Sequence, residues 1–469
     1  MADAQTVLET IAQQQVRFVD LRFTDLGGTW QHVTLSASSV DDDVLRQGVM
    51  LDGSSIEGWR AADDSDLLLR PDPVSAALDP FAAQTTLLLT CDVVEPGTGL
   101  GYDRCPRGTA RRAAEHMAQS ETGERALFGP EIEFFVFDEA RFAARGHEAF
   151  VYLDAEAAAH NRGTAYEQGN AGHRALRPKS RPVPPADAWS DLRAEMASVL
   201  EALGFRGVHH NLGRSACQNE IGFAHDELLG AADRVQQLRY VVLNVAASYG
   251  KAATFMPKPL DEPSGGSSLH VHQSLWSGER PLFAGHDYAN LSETCLHYIG
   301  GVLHHARALN AFTNPTTNSY RRFAGGAQVP RWLAYSAQNR SAAVRIPYAA
   351  RPEDKRAELR FADPAANPYL AFAAMLMAGL DGVRRRLDPG EAMDRNLYDL
   401  PPESLADLET VALSLDAALD ALEEDSAFLT EAEVFSPALI EAYVELKRSE
   451  IARVARAPHP VEFELYYGA

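Results

Sequence analysis

Apolar and polar residues alternate over 16–23 (VRFVDLRF) and again over 30–35 (WQHVTL), on either side of Gly27-Gly28, a pattern that predicts two strands joined as a hairpin. A further β-rich run, 84–94 (QTTLLLTCDVV), is closed by Glu95-Pro96-Gly97. Between them lies Asp52-Gly53-Ser54-Ser55, read as a loop that carries a carboxylate. From Arg107 the texture changes to an Ala- and Glu-rich helical pattern, which places a domain boundary near residue 105. Residues 1–105 then form a small, mainly β N-terminal domain and 106–469 a large one.

In the large part, strands are expected at 126–137, 218–224, 268–275 and 356–361. Apolar residues three or four apart predict helices over 187–203, 228–250, 290–312, 366–386 and 404–423. The segment 160–186, rich in Gly, Pro and basic residues, reads as a long loop. Strands and helices neither alternate strictly nor segregate fully, so the fold class is α+β.

Composition narrows the function. Of 469 residues, 43 are Lys or Arg and 65 Asp or Glu, a formal net charge of −22 that repels nucleic acid. No stretch reaches the roughly 18 to 20 apolar residues that a membrane span needs. The start, MADAQTVLETIAQQQ, lacks the basic and apolar regions of a secretory signal. Cys91, Cys105, Cys217 and Cys295 show no paired spacing, against both a disulfide framework and a zinc knuckle. A cytoplasmic protein is expected.

The usual nucleotide signatures are missing. There is no GxxxxGK[ST], and Gly97-Thr98-Gly99-Leu100-Gly101 follows a proline and reads as a turn. Other clusters carry chemistry. In a strand, Glu131 and Glu133 project from one face and repel unless a cation or water intervenes; a solvated acidic edge is the alternative. His209-His210-Asn211 precedes Gln218-Asn219-Glu220, and strand spacing puts His270 and His272 on one side. Arg356, Glu358 and Arg360 alternate in the same way, as a surface ion-pair ladder or as an anion site beside a metal ligand. Arg321, Arg322, Arg331, Arg340 and Arg345 concentrate positive charge in an acidic chain, and guanidinium groups suit phosphate or carboxylate. Glu131, Glu133, Glu220, Glu358 and His270 together suit a hard divalent cation better than structural zinc, which points to phosphoryl transfer.

These residues stand within runs that resemble the bacterial type I glutamine synthetases over nearly the whole chain. The runs include Met50 to Ile56, Gly129 to Phe137, Thr254 to Pro259, Asn314 to Tyr320, Asn339 to Pro347, Asp363 to Leu370 and His459 to Tyr467. The resemblance implies a β-grasp-like N-terminal domain, a catalytic domain with a curved antiparallel sheet and surrounding helices, and a homododecamer of two hexameric rings. It implies two or three Mg²⁺ or Mn²⁺ per site, with ATP and glutamate as substrates. Glu133 and Glu220 would hold one metal; Glu131, His270 and Glu358 the other. Arg322, Arg360 and Gly266 would bind glutamate. Arg340, Arg345 and Arg356 would face the ATP phosphates, with His272 and Ser274 bordering the nucleotide. Asp52 of a neighbouring subunit would bind ammonium and draw off its proton. Tyr398 lies in a context that resembles the family's adenylylation site.

Departures cluster at the acceptor end. Asn211 stands where the family places a third carboxylate ligand, in a loop one residue longer, so that metal should be held more weakly. Gln328 replaces the glutamate of the flap that closes the ammonium pocket, and an amide cannot act as a base. Ser180 replaces a tyrosine and Gly265 an asparagine. Less negative charge and less bulk suit an organic amine, so a γ-glutamylamide synthetase is the expected activity. Ordinary glutamine synthesis from ammonia is the alternative, and a catalytically weak regulatory homologue a second one.

Overall fold

The computed structural model describes residues 3–155, 181–215, 217–261, 266–324, 329–457 and 461–469. After helix α1 (Ala4–Gln13), the expected hairpin forms: β1 (Phe18–Thr24) pairs antiparallel with β2 (Trp30–Ser36). Its turn needs Gly28, whose φ of +94° suits glycine and whose missing Cβ leaves room for the Asn367 backbone. Helix α2 (Asp42–Gln47), β3 (Val49–Asp52), β4 (Asp66–Pro71), β5 (Ala77–Leu78) and β6 (Thr86–Val94) complete the first unit. Its sheet runs β2-β1-β6-β4-β3, with β5 pairing β6 and with β1 parallel to β6. Asp52, read as a loop residue, instead ends β3, and its carboxylate accepts from Ser54 N at 2.9 Å.

Helix α3 (Pro106–Gln119) opens the second unit and locks it to the first through one buried cation. The Arg107 guanidinium donates to Asp72 and Asp92 of the first unit and to Asp233 of the second at 2.7 to 2.9 Å.

The large sheet is centred on β7 (Arg125–Phe137). Strands β8 (Glu139–Arg145) and β9 (Glu148–Asp154) make a separate hairpin that periodicity did not reveal. Then follow α4 (Ser190–Ala202), β10 (His209–Leu212), β11 (Gln218–Gly222), β12 (Asp226–Glu227), α5 (Leu228–Ser248), β13 (Ala252–Thr254), β14 (Leu269–Ser277) and β15 (Arg280–Pro281). After helices α6 (Glu293–His304) and α7 (Ala306–Thr313) come β16 (Tyr335–Ala337), β17 (Val344–Ile346) and β18 (Ala357–Leu359). The order is β10-β11-β7-β14-β18-β17-β16, antiparallel except for β16 and β17. Pro130, inside the central strand, lacks a ladder donor, and it falls where the neighbour of β7 changes from β11 to β12.

Helix α8 (Pro368–Arg385) is buried from Pro368 through Gly382, stacking Phe372 on Phe128 of β7 at 5.1 Å. Two helix expectations need correction. The stretch 290–312 is broken at His305, whose ring nitrogens lie 2.6 Å from Asp425 and 2.9 Å from Asp381. The stretch 404–423 is helical only in α9 (Leu415–Glu424). Before it, Val411 N bonds Arg331 O and Ala412 N bonds Asn310 Oδ1, so these amides serve tertiary contacts and not a helix. No helix among the described residues is long and apolar enough to cross a membrane.

Candidate active site

Strand pleating puts Glu131 and Glu133 on the same side of β7, and residues opposite each other in register share a face. That face continues over six strands. Asn211 of β10 lies opposite Glu220 of β11, and Glu220 lies opposite Glu133. Glu131 lies opposite His270, His272 opposite Glu358, and Glu358 opposite Arg345. One row of chemistry-bearing side chains thus crosses the sheet.

At one end, Glu131 lies 3.6 Å from His270 Nδ1 and 3.2 Å from His272 Nε2. One atom each from Glu131, His272 and Glu358 falls within 4.8 Å of the others. Burial raises the Glu131 carboxyl, but hydrogen bonds and charge from His270 and His272 outweigh it and hold it far below the usual range. Burial also opposes ionisation of Glu358, yet Arg360, His272, His270 and Arg345 bring it down to about 2. Arg345 donates to Glu358 at 2.5 Å, and Arg360 donates to its other oxygen.

At the other end, Glu133 accepts from Ser268 N at 2.6 Å and from Gln218 Nε2 at 3.2 Å. Gln218 also donates to Gly266 O at 2.8 Å; Gly266 has a φ of +80°, and a Cβ there would meet Pro257 O. Burial and the neighbouring Glu220 charge push the Glu133 carboxyl up. Both carboxylates face a cavity of about 560 Å³ whose wall includes Gly266, His270, Arg181, Arg214, Arg340, Arg360 and Tyr398. Burial and the charges of Arg360 and Arg345 lower the Arg340 pKa. Burial lifts the Tyr398 phenol to about 12, and its hydroxyl donates to Arg340 O at 3.4 Å.

Behind this row, Arg322 is fully buried and donates to Ser268 Oγ at 2.7 Å. Arg356 donates to His272 Nδ1 at 3.2 Å, and Ser274 accepts from Trp276 Nε1 at 3.0 Å. His225 stacks on His272 with ring centres 5.9 Å apart, in space left by Gly129. Burial, then His272 and Arg356, lower His225 to about 4.

Two features test the fit to absent ligands. The carboxylate and imidazole donors suit a divalent cation. The buried Nε atoms of Arg322, Arg345 and Arg360 find no hydrogen-bond partner among the described residues, as expected of groups prepared for anions.

Asn211, expected beside Glu220 at the metal, is hydrogen-bonded on both sides of its amide. Its oxygen accepts from Arg181 Nη1 at 2.7 Å, and its NH₂ donates to Glu220 at 3.3 Å. Asp52 is exposed in the first unit and does not line the cavity. Gln328, Ser180 and Gly265 lie outside the described residues. Sequence reasoning missed Arg181 and His225; the only signal for Arg181 was the basic character of its loop.

The chain belongs to the glutamine synthetase family. The model of the glutamine synthetase catalytic domain matches residues 103–466, and that of the glutamine synthetase β-grasp domain matches 15–96. The protein is therefore a glutamine synthetase-type ligase, an enzyme of nitrogen metabolism. A glutamine synthetase of Bradyrhizobium diazoefficiens is 51% identical over 469 residues, covering 100% of both chains. A 3-hydroxylaminophenol mutase of Cupriavidus pinatubonensis is 50% identical over 463 residues, 98% of each chain. The solved structure of Plasmodium falciparum glutamine synthetase shares the fold, with a TM-score of 0.88 at 24% identity over 100% of this chain and 99% of that one. A structure described as apo GmaS without ligand gives 0.79 at 28% identity over 96% of each chain.

Proposed function

We propose that this chain is a glutamate–ammonia ligase that spends ATP to activate the γ-carboxylate of glutamate. The carrying observation is the single row of Glu220, Glu133, Glu131, His270, His272 and Glu358 across the sheet, bordered by arginines with unsatisfied buried donors. Glu131, Glu358 and the two histidines would hold one divalent cation, Mg²⁺ or Mn²⁺, and Glu133 with Glu220 would take a second. Such ions, when bound, neutralise the charge of a transferring phosphoryl group. Arg340, Arg345 and Arg356 bind the ATP phosphates, with His272 and Ser274 at the nucleotide; Arg322, Arg360 and Gly266 bind glutamate. Fixed guanidinium groups stabilise the developing negative charge without reorganising.

Identity of about half over the whole length to a protein named glutamine synthetase supports ammonia, in place of the organic amine expected from Gln328, Ser180 and Asn211. The chain acts as a cytoplasmic homo-oligomer, two stacked six-membered rings, in which Asp52 of a second copy completes the acceptor end. Hydrogen bonds from Ser54 lower the Asp52 pKa, so an ionised carboxylate is available to draw ammonium.

Phosphate release from ATP and glutamate, measured with ammonia and with a panel of primary amines, tests this reading. Ammonia is expected to give the highest kcat/KM, with activity lost in EDTA and restored by Mg²⁺ or Mn²⁺. A higher value for an organic amine would replace ammonia as the acceptor. Turnover that survives thorough chelation would overturn the metal-dependent mechanism.

A further inference from the structure

The two ends of the acidic row are not equivalent. At the Glu131–His272–Glu358 end, one donor atom from each residue lies within 4.8 Å of the others. At the Glu133–Glu220 end, the next residue in the row is Asn211, and its oxygen is already taken by the Arg181 guanidinium at 2.7 Å. The amide NH₂ turns the other way, onto Glu220 at 3.3 Å. Cation, neutral amide and carboxylate thus form a chain from Arg181 through Asn211 to Glu220, which stands opposite Glu133 in the sheet. Arg181 also lines the cavity and is among the charges that, after burial, Arg360 and Arg345, depress Arg340. A divalent ion on the Asn211 oxygen would have to displace this guanidinium or sit beside it, and like charges at contact distance repel.

We propose that Arg181 is a built-in counter-cation for Glu133 and Glu220, and that this end therefore takes up divalent metal only weakly. Each chain then holds one strongly bound ion, at Glu131, Glu358 and the histidines. The proposal rests on reading the acidic row as a metal site. Arg181 is exposed to solvent, so screening keeps its effect moderate.

The test is Mn²⁺ alone, titrated into the metal-stripped full-length protein without ATP or glutamate, with free Mn²⁺ read by electron paramagnetic resonance. One ion per chain is expected to bind at least about tenfold more tightly than the next. Glu358→Gln should remove the tight ion. Arg181→Gln should tighten the weak one by roughly threefold to tenfold, whereas Arg181→Lys, which keeps the charge, should leave it near the parent value. Asn211→Glu should bring the second ion close to the first. Circular dichroism of each variant checks that it is folded. Two equally tight ions in the parent, or no change in Arg181→Gln, would overturn this proposal alone. No Mn²⁺ bound by the parent would overturn the metal reading of the row, and this proposal with it.

Discussion

Glu133 on β7 and Glu220 on β11 stand directly opposite each other, two carboxylates on one face of an antiparallel pair. Like charges in that position repel, and burial adds to the cost of ionising Glu133. Ser268 N and Gln218 Nε2 offset part of it. A pair that weakens the fold while facing a cavity lined with arginines is an expense met for binding.

Glu133→Gln should therefore stabilise the metal-free protein at neutral pH while lowering turnover by a hundredfold or more. The sign follows from the raised carboxyl: the ionised form costs stability above its folded pKa, and the cost disappears below the ordinary value of 4.5. Urea midpoints of parent and variant should differ at pH 7 and converge near pH 4. A lower midpoint for the variant at pH 7 would show that Glu133 is not strained.

Glu358 should behave oppositely. Its carboxyl falls from 4.5 to about 2, a difference of about 3 kcal/mol in favour of the folded protein. That stability is fully present above pH 4.5 and is lost as the pH falls toward 2. The gap between parent and Glu358→Gln in chemical denaturation should be widest at neutral pH and should narrow from pH 4.5 downward. A gap independent of pH would contradict this.

Arginine substitutions should separate by partner. Arg340 makes no ion pair among the described residues, so Arg340→Ala should cut turnover about a hundredfold and leave the melting temperature nearly unchanged. Arg360→Ala also strips a partner from buried Glu358, so it should lose activity and about 3 kcal/mol of stability. Equal melting temperatures for the two variants would refute the distinction.

Arg107→Ala should destabilise by about 3 kcal/mol, because Asp92 and Asp233 lose a buried partner at the junction of the two units, although Arg111 still reaches Asp72 and Asp92. Arg107→Lys should recover only part, since one ammonium cannot fork to three carboxylates. Differential scanning calorimetry reads both effects. An unchanged transition would mean that the other contacts across the junction, among them Arg111 to Asp92 and Gln236 to Gly28 O, hold the units without Arg107.

For the acceptor, Gln328→Glu should raise ammonia-dependent phosphate release at pH 7 by roughly tenfold to a hundredfold, as expected when a general base is restored. The parent should gain on ammonia at higher pH, where unprotonated ammonia needs no base. A flat pH profile together with an unaffected variant would show that residue 328 takes no part in deprotonation.

Local alternation determined by itself which residues share a face. The hairpin of β1 and β2, the Glu131–Glu133 pair, and the paired His270 and His272 follow from a period of two, with no knowledge of the neighbours. The arginines stood out as a basic excess in an acidic chain, and the family resemblance supplied their roles. Register was decided only in the tertiary structure, because the ladders that bring Glu220 opposite Glu133 and Glu358 opposite His272 join segments about 90 residues apart. The same holds where long-range contacts override periodicity: His305, set between Asp381 and Asp425, breaks an apparently continuous helix, and residues 411–412 give their amides to Arg331 and Asn310. Arg181 is the clearest case. Nothing near it in sequence points to Asn211, since a charge on a loop acquires its meaning from the carboxylates to which folding brings it.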